Sequence, residues 1–150
     1  MRANSPAPEL QRVIERLPAG FDALREEARA EGYLFVERLA ADWEARRARF
    51  DREGEALLAQ HATGELAGIG GLTIEPVLPG ALRMRRFYVR ARFRRAGIGR
   101  TLATALLERA RITGLLVSVN AAPASAPFWE SLDFVPDMRD GHTHLYRGFC

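Results

Sequence analysis

Lysine is absent from this sequence of 150 residues, so all 22 basic side chains are arginines. A Walker-type phosphate loop, which needs a lysine after its second glycine, is therefore excluded. Cysteine occurs once, at the last position, which excludes an internal disulfide and a cysteine metal cluster. No apolar run approaches the roughly 18–20 residues of a membrane-spanning helix. The pattern thus gives no indication of a membrane protein or of a disulfide scaffold.

The length and the composition are compatible with a small soluble enzyme. A chain of 150 residues buries roughly 68–70% of its unfolded surface, which is sufficient for one core. We therefore expect a single domain over residues 1–150. The segment 1–6 lacks the apolar stretch of a secretion signal, so the expected compartment is the cytoplasm. His142-x-His144 lies near Asp140, but no third ligand follows the spacing of a metal site, and we predict no metal.

The positive charge is concentrated in one part of the chain. The formal net charge is only +3, yet no acid occurs between Glu75 and Glu108, and eight arginines lie between Arg83 and Arg100. Such a cluster is typical of a phosphate-bearing ligand, of a solvated loop or of a nucleic-acid surface. One compact loop suits a phosphorylated coenzyme better than a long duplex, so we favour the coenzyme over nucleic acid.

The segment 87–100 carries the strongest chemical signal. It is read as a strand, an arginine-rich turn and a helix that opens on Gly97 and Gly99. Glycine lets a ligand approach the backbone, and the first N–H groups of a helix have no partner inside it. Three arginines are placed for bidentate contacts with phosphate oxygens: Arg94, Arg95 and Arg100. The pattern predicts a diphosphate site, although the third glycine of a dinucleotide-binding fingerprint is missing.

Hydrophobic periodicity and turn residues predict a mixed α/β fold, with an antiparallel N-terminal meander joined to a central parallel βαβ unit. The predicted strands cover 9–17, 55–60, 66–74, 82–89, 115–119, 134–135 and 144–149. The predicted helices begin near Phe21 and Val36, with the second repeat reaching Phe50, and cover 99–112 and 125–132. Gly114 is expected to end the third helix in a left-handed conformation, and Ser125 is expected to cap the fourth.

Three motifs resemble those of the GNAT-type N-acetyltransferases. Arg94-x-x-Gly97-x-Gly99, after a strand that ends Phe87-Tyr88-Val89, resembles the acyl-CoA signature of that family. The segment 66–73 resembles the strand that precedes it, and the segment 120–134 resembles the block N-x(4)-A-x-x-F-Y-x-x-x-G-F. Trp129 and Asp133 stand where that block has tyrosine and glycine. The resemblance implies the GNAT fold, with a parallel strand pair that splays at a bulge.

The resemblance also implies acetyl-CoA as co-substrate and direct attack by a primary amine. The backbone N–H of Val89 is then expected to stabilise the oxyanion. The residues expected to hold the coenzyme are Phe87, Tyr88, Val89, Arg94, Arg95, Ala96, Gly97, Ile98, Gly99, Arg100, Asn120, Ser125 and Phe128.

The groups that move protons are less evident. The tyrosine that donates a proton to the leaving thiolate in many relatives is replaced by Trp129, whose N–H does not supply a proton at neutral pH. The candidates for the base are Glu75, His61, His142 and His144. Their positions at turns and strand ends indicate ordinary solvated side chains, and a water relay without a dedicated base remains open.

The resemblance also implies that the acceptor site is formed by the segments 31–36 and 138–143. The acids that would attract a cationic amine are Glu31, Glu37, Asp137 and Asp140, and the aromatic residues that line a pocket or the core are Tyr33, Phe35 and Trp43. We expect a small-molecule or peptide amine as acceptor, and a homodimer remains open. Two other functions are kept as alternatives: a non-catalytic acyl-CoA-binding module and an arginine-loop nucleic-acid binder.

Overall fold

The computed structural model describes residues 9–139 and 141–149. Within these residues the chain forms seven strands and four α-helices. The strands are β1 (Glu9–Arg12), β2 (Ala56–Ala62), β3 (Glu65–Ile74), β4 (Ala81–Val89), β5 (Leu116–Val119), β6 (Phe134–Arg139) and β7 (His142–Tyr146). The helices are α1 (Phe21–Ala30), α2 (Phe35–Glu44), α3 (Ile98–Thr113) and α4 (Ala126–Glu130). None of the helices in the described segments is both long and apolar enough to cross a membrane.

All seven strands form one mixed sheet in the order β1-β2-β3-β4-β5-β7-β6. Strands β1 to β4 are antiparallel neighbours, β4 and β5 are parallel, and β7 lies antiparallel between β5 and β6. The parallel pair flanks α3, as a strand–helix–strand crossover requires. The mixed α/β class, the antiparallel meander and the central parallel unit are therefore confirmed.

Each face of the sheet carries its own core. On one face, Leu102 and Leu106 of α3 pack in the same cluster as Leu82 and Val117. On the other face, α1 and α2 cover the sheet through residues such as Leu24. Because β3 is buried on both sides, its sequence is a nearly continuous apolar run rather than an alternating one.

Two elements in the first third of the chain are shorter than predicted. The first strand ends at Arg12 instead of residue 17. Val13 and Ile14 are adjacent, so they cannot face the same side of a strand: Val13 is buried, whereas Ile14 is 65% exposed. Helix α2 ends at Glu44, and Phe50 reaches the core from a loop in which its own φ is +55°. The helical spacing of Phe50 was therefore coincidental.

The C-terminal part also departs in detail from the pattern. The last strand covers 142–146 rather than 144–149, because its hydrogen-bonded partners lie on β5 and β6. Ser125 does not cap α4, since its hydroxyl donates to the carbonyl of Ala122 at 3.0 Å. Gly114 does end α3 in the left-handed region, with φ of +73°, as expected.

Candidate functional site

A bulge in β4 distinguishes the end of this strand from its start. Ile69 pairs with Tyr88 and Gly71 with Arg85, so two residues of β4 face a single residue of β3. One of the two, Arg86, has a φ of +62°. The residue opposite is Gly70, where a Cβ would lie only 2.7 Å from the ring of Phe87. Glycine at position 70 therefore allows the bulge to form, because any larger residue would collide with Phe87.

A gap opens between β4 and β5 beyond the bulge. The two strands pair only over Ala81–Met84 and Leu116–Val119, while β4 runs on to residue 89. Arg90 donates its N–H to Ala67 of β3 at 2.8 Å. Because successive backbone groups of a strand point to opposite sides, the N–H of Val89 points away from β3, towards the side on which β5 has ended. The edge of the gap thus presents main-chain groups.

The turn before α3 exposes hydrogen-bond donors. Arg95 and Gly97 adopt positive φ values of 65° and 83°, and the N–H of Thr101 donates to the carbonyl of Gly97 at 2.9 Å, which begins the helical ladder. No side chain caps this helix end. The N–H groups that precede the ladder are those of Ile98, Gly99 and Arg100. A Cβ on Gly97 would meet no atom within 4 Å, so the space beside the turn at this glycine is open.

Helix α4 contacts the first turn of α3. A Cβ on Gly99 would lie 3.3 Å from the ring of Phe128 and 3.7 Å from the side chain of Val89. Phe128 is thereby brought close to the helix end. Asn120 is exposed immediately after β5, at the entrance to the gap, whereas Ser125 is bonded within its own turn.

Five of the eight clustered arginines form ion pairs with acids from elsewhere in the chain. The pairs are Arg83–Glu75, Arg86–Asp42, Arg90–Glu27, Arg92–Glu65 and Arg94–Glu31. The local positive charge is therefore smaller than the acid-free sequence indicates. No ion pair is formed within the described residues by the other three: Arg85, Arg95 and Arg100.

Arg94 has a different environment from the one expected. Its guanidinium lies 2.6 Å from the carboxylate of Glu31 and donates to the carbonyl of Val89 at 2.8 Å. It thus ties the turn to α1 and to the end of β4. Arg100 makes only a contact of 3.2 Å with Ser131, and the side chain of Arg95 is exposed. Arg95 and Arg100 are thus the exposed arginines at the helix end that form no ion pair among the described residues.

Tyr88 is held in its protonated form. Its hydroxyl donates to Glu31, and Tyr33 and Phe35 surround its ring at centroid distances of 5.9 and 6.4 Å. Burial, together with the adjacent carboxylates, raises the pKa of Tyr88 well above its ordinary value. The aromatic residues that were expected to line a pocket or the core therefore have different environments. Trp43 is a buried core residue, whereas Tyr33 is exposed.

Glu75 is buried, which corrects the expectation of a solvated side chain. Its carboxylate accepts hydrogen bonds from the N–H groups of Val77 and Leu78 and, at 2.8 Å, from Arg83. Burial alone would raise the pKa of Glu75, but these donors outweigh it and hold the pKa below its ordinary value. The carboxylate is therefore ionised and fully engaged.

Two of the histidines are also buried rather than solvated. His144 contacts Glu130 at 2.9 Å and His142 contacts Asp137 at 3.4 Å. The third, His61, is partly exposed and contacts the carbonyl of Ala19. Sequence reasoning missed the burial of His142 because the last strand was predicted to begin at residue 144 instead of 142.

Trp129 is part of the core. Its ring lies edge-on to Phe87 and Phe128, with centroids 4.9 Å apart in both cases, and 5.2 Å from Phe134. Four residues later, Asp133 has a φ of +73°, the left-handed conformation that favours glycine. The backbone thus keeps the shape that a glycine would adopt at that position.

The acids proposed for attracting a cationic amine already have partners. Glu37 lies 2.7 Å from Arg25, Asp137 lies 2.7 Å from Arg139, and Glu31 is paired as described above. Asp140 lies outside the described residues.

The sequence and the fold agree with known acetyltransferases. The family model "Acetyltransferase (GNAT) domain" matches residues 23–144. The chain belongs to the GNAT acetyltransferase family. Among curated proteins, no sequence matches this chain significantly.

Solved structures show the same GNAT fold. A protein from Exiguobacterium sp. 255-15, provisionally described as an acetyltransferase, is 22% identical, with a TM-score of 0.84 over 93% of each chain. The PaiA N-acetyltransferase of Thermoplasma acidophilum, in complex with coenzyme A, is 14% identical, with a TM-score of 0.61 over 93% of this chain and 97% of that chain. AAC(6')-Iy, bound to the bisubstrate analogue CoA-S-monomethyl-acetylneamine, is 16% identical, with a TM-score of 0.64 over 97% and 100%.

Proposed function

We propose that this GNAT protein transfers an acetyl group from acetyl-CoA to a primary amine. The amine nitrogen forms the new N–C bond and loses its proton to water, the C–S bond breaks, and coenzyme A leaves as the thiolate, which takes up a proton from water to give the free thiol. The observation that carries this proposal is the position of free backbone donors: those of the α3 end lie beside the main-chain edge of the gap that opens between β4 and β5.

The residues at the α3 end fit a diphosphate. The turn presents only donors and positive charge: three N–H groups without helical partners, an open approach at Gly97, and two arginines, Arg95 and Arg100, that form no ion pair within the described part of the chain. The helix dipole adds about 0.3–1 kcal/mol for an anion at this end. Ala96 and Ile98 contribute their backbone, and Arg94 keeps the turn in position through Glu31.

The strand edge is proposed to bind the pantetheine arm and the thioester. Phe87, Tyr88 and Val89 supply the backbone groups, and Phe128 and Asn120 border the same gap. We assign the N–H of Val89 to the developing oxyanion. Such a donor is fixed before the charge develops, and the loss of one costs about 2.7–4 kcal/mol in transition-state stabilisation.

Proton transfer in this proposal does not depend on a dedicated acid. Trp129 is buried among aromatic rings, so it takes no part in the reaction. A thiol has a pKa of about 8.5, so a thiolate is a sufficiently good leaving group without protonation by a dedicated acid. Glu75, whose carboxylate is engaged by Arg83 and two backbone N–H groups, is assigned a positioning role, and water is proposed to accept the proton of the amine.

A second function, a non-catalytic acyl-CoA-binding module, is favoured only by the replacement of the family tyrosine by Trp129. Binding of nucleic acid is disfavoured by the ion pairs that neutralise five of the eight clustered arginines. The cytoplasmic location, a small-molecule or peptide acceptor and the homodimer remain predictions.

Two measurements test the proposed function. Coenzyme A should raise the melting temperature of the protein, because a ligand that binds the folded state stabilises it. Release of free thiol from acetyl-CoA is then followed against amines grouped by chemistry. Tight coenzyme binding without thiol release in any group would support the binding module instead. Absence of coenzyme binding would refute both.

The exposed arginines provide a first prediction. We expect Arg95→Gln and Arg100→Gln each to lower the affinity for coenzyme A by about 3- to 10-fold, because each removes a charge-assisted contact at a solvated site. The affinity is measured by isothermal titration calorimetry at two salt concentrations. The matched control is Arg92→Gln, which removes the same charge from the same loop but from an arginine already paired with Glu65. Equal losses in all three variants would contradict the assignment.

A further inference from the structure

We propose that the acceptor carries an anionic group beside its amine, and that Arg85 binds this group. The inference rests on the proposed function, because it concerns the acceptor side of the same site. It replaces the expectation from the sequence that acidic side chains of the protein attract a cationic acceptor.

Arg85 lies at the point where the two parallel strands separate. It pairs with Gly71 just before the bulge. Met84 is level with Val119 across the parallel pair, so Arg85 is level with the next position, where Asn120 follows the end of β5. Arg85 therefore lies at the point where the gap between β4 and β5 begins.

The packing of the neighbouring residues also defines the face of the sheet on which the side chain of Arg85 lies. Met84 packs in the core beneath α3, and successive side chains of a strand alternate in direction. Arg85 consequently lies on the face of α1 and α2. This agrees with Gly71, its partner, where a Cβ would lie 2.5 Å from the ring of Phe50, a residue of that core. A coenzyme whose diphosphate binds at α3 would thus meet an acceptor that approaches from the opposite face.

Arg85 is half-buried and has no ion pair or hydrogen bond within residues 9–139 and 141–149. The acids that act on Arg85 electrostatically are engaged elsewhere. Glu55 accepts the N–H of Ile74 at 2.9 Å, Glu75 is held by Arg83, and Asp42 lies 3.0 Å from Arg47. An unpaired cation in a half-buried position is unfavourable, and an anion from the ligand would compensate it.

Neighbouring arginines increase the positive potential around Arg85. Arg83 lies two residues before it on the same face, and the side chain of Arg86 is 12% exposed, 3.5 Å from Asp42. Burial lowers the pKa of Arg85, and the proximity of Arg83 lowers it further. A carboxylate or a phosphate fits this environment, because its two oxygens match the donors of a guanidinium. An acceptor with a second positive charge does not.

The test compares matched pairs of amines in the thiol-release assay. The carboxylate arm pairs an α-amino acid with its carboxamide, and the phosphate arm pairs phosphoethanolamine with ethanolamine. We expect the wild-type protein to have a lower KM for the anionic member of at least one pair. The pair that shows this preference identifies the anion as a carboxylate or a phosphate. Arg85→Gln should raise the KM for that member by about 10- to 100-fold, since hydrogen bonds to charged groups are the strong ones, and should have a much smaller effect on the KM for the neutral member.

The control is Arg111→Gln, on the exposed C-terminal turn of α3, which removes one arginine charge far from the gap. It should alter neither KM. Melting temperatures confirm that both variants are folded, and Arg85→Lys should recover part of the preference by restoring the charge. Equal use of both members by the wild-type protein, or equal effects of Arg85→Gln on both, would overturn the inference.

A binding measurement separates this inference from the proposed function. The N-acetylated α-amino acid and its carboxamide are titrated into the complex with coenzyme A and followed by calorimetry. If no amine is acetylated but the anionic product analogue binds in an Arg85-dependent manner, the proposed function fails and the anion site stands. If amines are acetylated without any anion preference, the proposed function stands and this inference fails.

Discussion

Gly97→Glu is expected to lower the affinity for coenzyme A by about 1,000-fold while the protein remains folded. A unit negative charge about 4 Å from a phosphate near a protein surface is unfavourable by about 4 kcal/mol, which corresponds to that factor. The fold should tolerate the side chain, because a Cβ at this position meets no atom within 4 Å. The affinity is measured by calorimetry, and the fold by circular dichroism and the melting temperature.

Backbone strain must be separated from charge in this experiment. Gly97 has a φ of +83°, a conformation that costs other residues roughly 1–2 kcal/mol. The matched control is Gly97→Asn, because asparagine tolerates this conformation and carries no charge. It should lose no more than about 10-fold in affinity. Equal losses in both variants would assign the effect to strain, and unchanged binding in Gly97→Glu would remove the diphosphate site from this turn.

Glu75→Ala is expected to lower the free energy of unfolding by about 3–5 kcal/mol. The substitution leaves Arg83, whose side chain is only 12% exposed, without its acid, and it deprives two backbone N–H groups of their acceptor. Urea denaturation of the wild type and the variant measures the difference. A loss below about 1 kcal/mol, the range of a surface ion pair, would contradict the buried network.

The stability difference between these two proteins should also depend on pH. The folded protein holds the pKa of Glu75 below the ordinary value of 4.5. The contribution of this group is therefore fully present above the unfolded pKa and is lost as the pH falls through the lower, folded pKa. The difference in unfolding free energy should thus be constant near neutral pH and decrease below about pH 4.5. A difference that grew on acidification would exclude this pKa shift.

Glu75→Gln distinguishes the positioning role from catalysis. The amide keeps the size of the side chain and one acceptor oxygen, but it cannot serve as a base. At temperatures at which the variant is folded, kcat should stay within about 3-fold of the wild type. The removal of a general base lowers the rate by about 100- to 10,000-fold, so a loss of that size would restore Glu75 as the base.

Local sequence patterns predicted most of the elements that form the site. Helix α3, its glycine end at residue 114 and the neighbouring strands follow from short-range periodicity and turn chemistry, and each was found within a residue or two. Two of the failures share one cause. Phe50 and Ile14 fitted a local period and fell inside predicted elements, but both lie outside the observed ones, because burial depends on residues distant in the chain.

The sequence by itself determined the mixed α/β class and a helix that begins with exposed N–H donors after an arginine-rich turn, since backbone geometry and glycine act over a few residues. Only the tertiary structure decided which charges remain unpaired. Acids more than fifty residues away, Glu27 and Glu31, neutralise Arg90 and Arg94, whereas Arg85, Arg95 and Arg100 keep no ion pair among the described residues. Electrostatic pairing depends on distance in space, and spacing along the chain does not determine it.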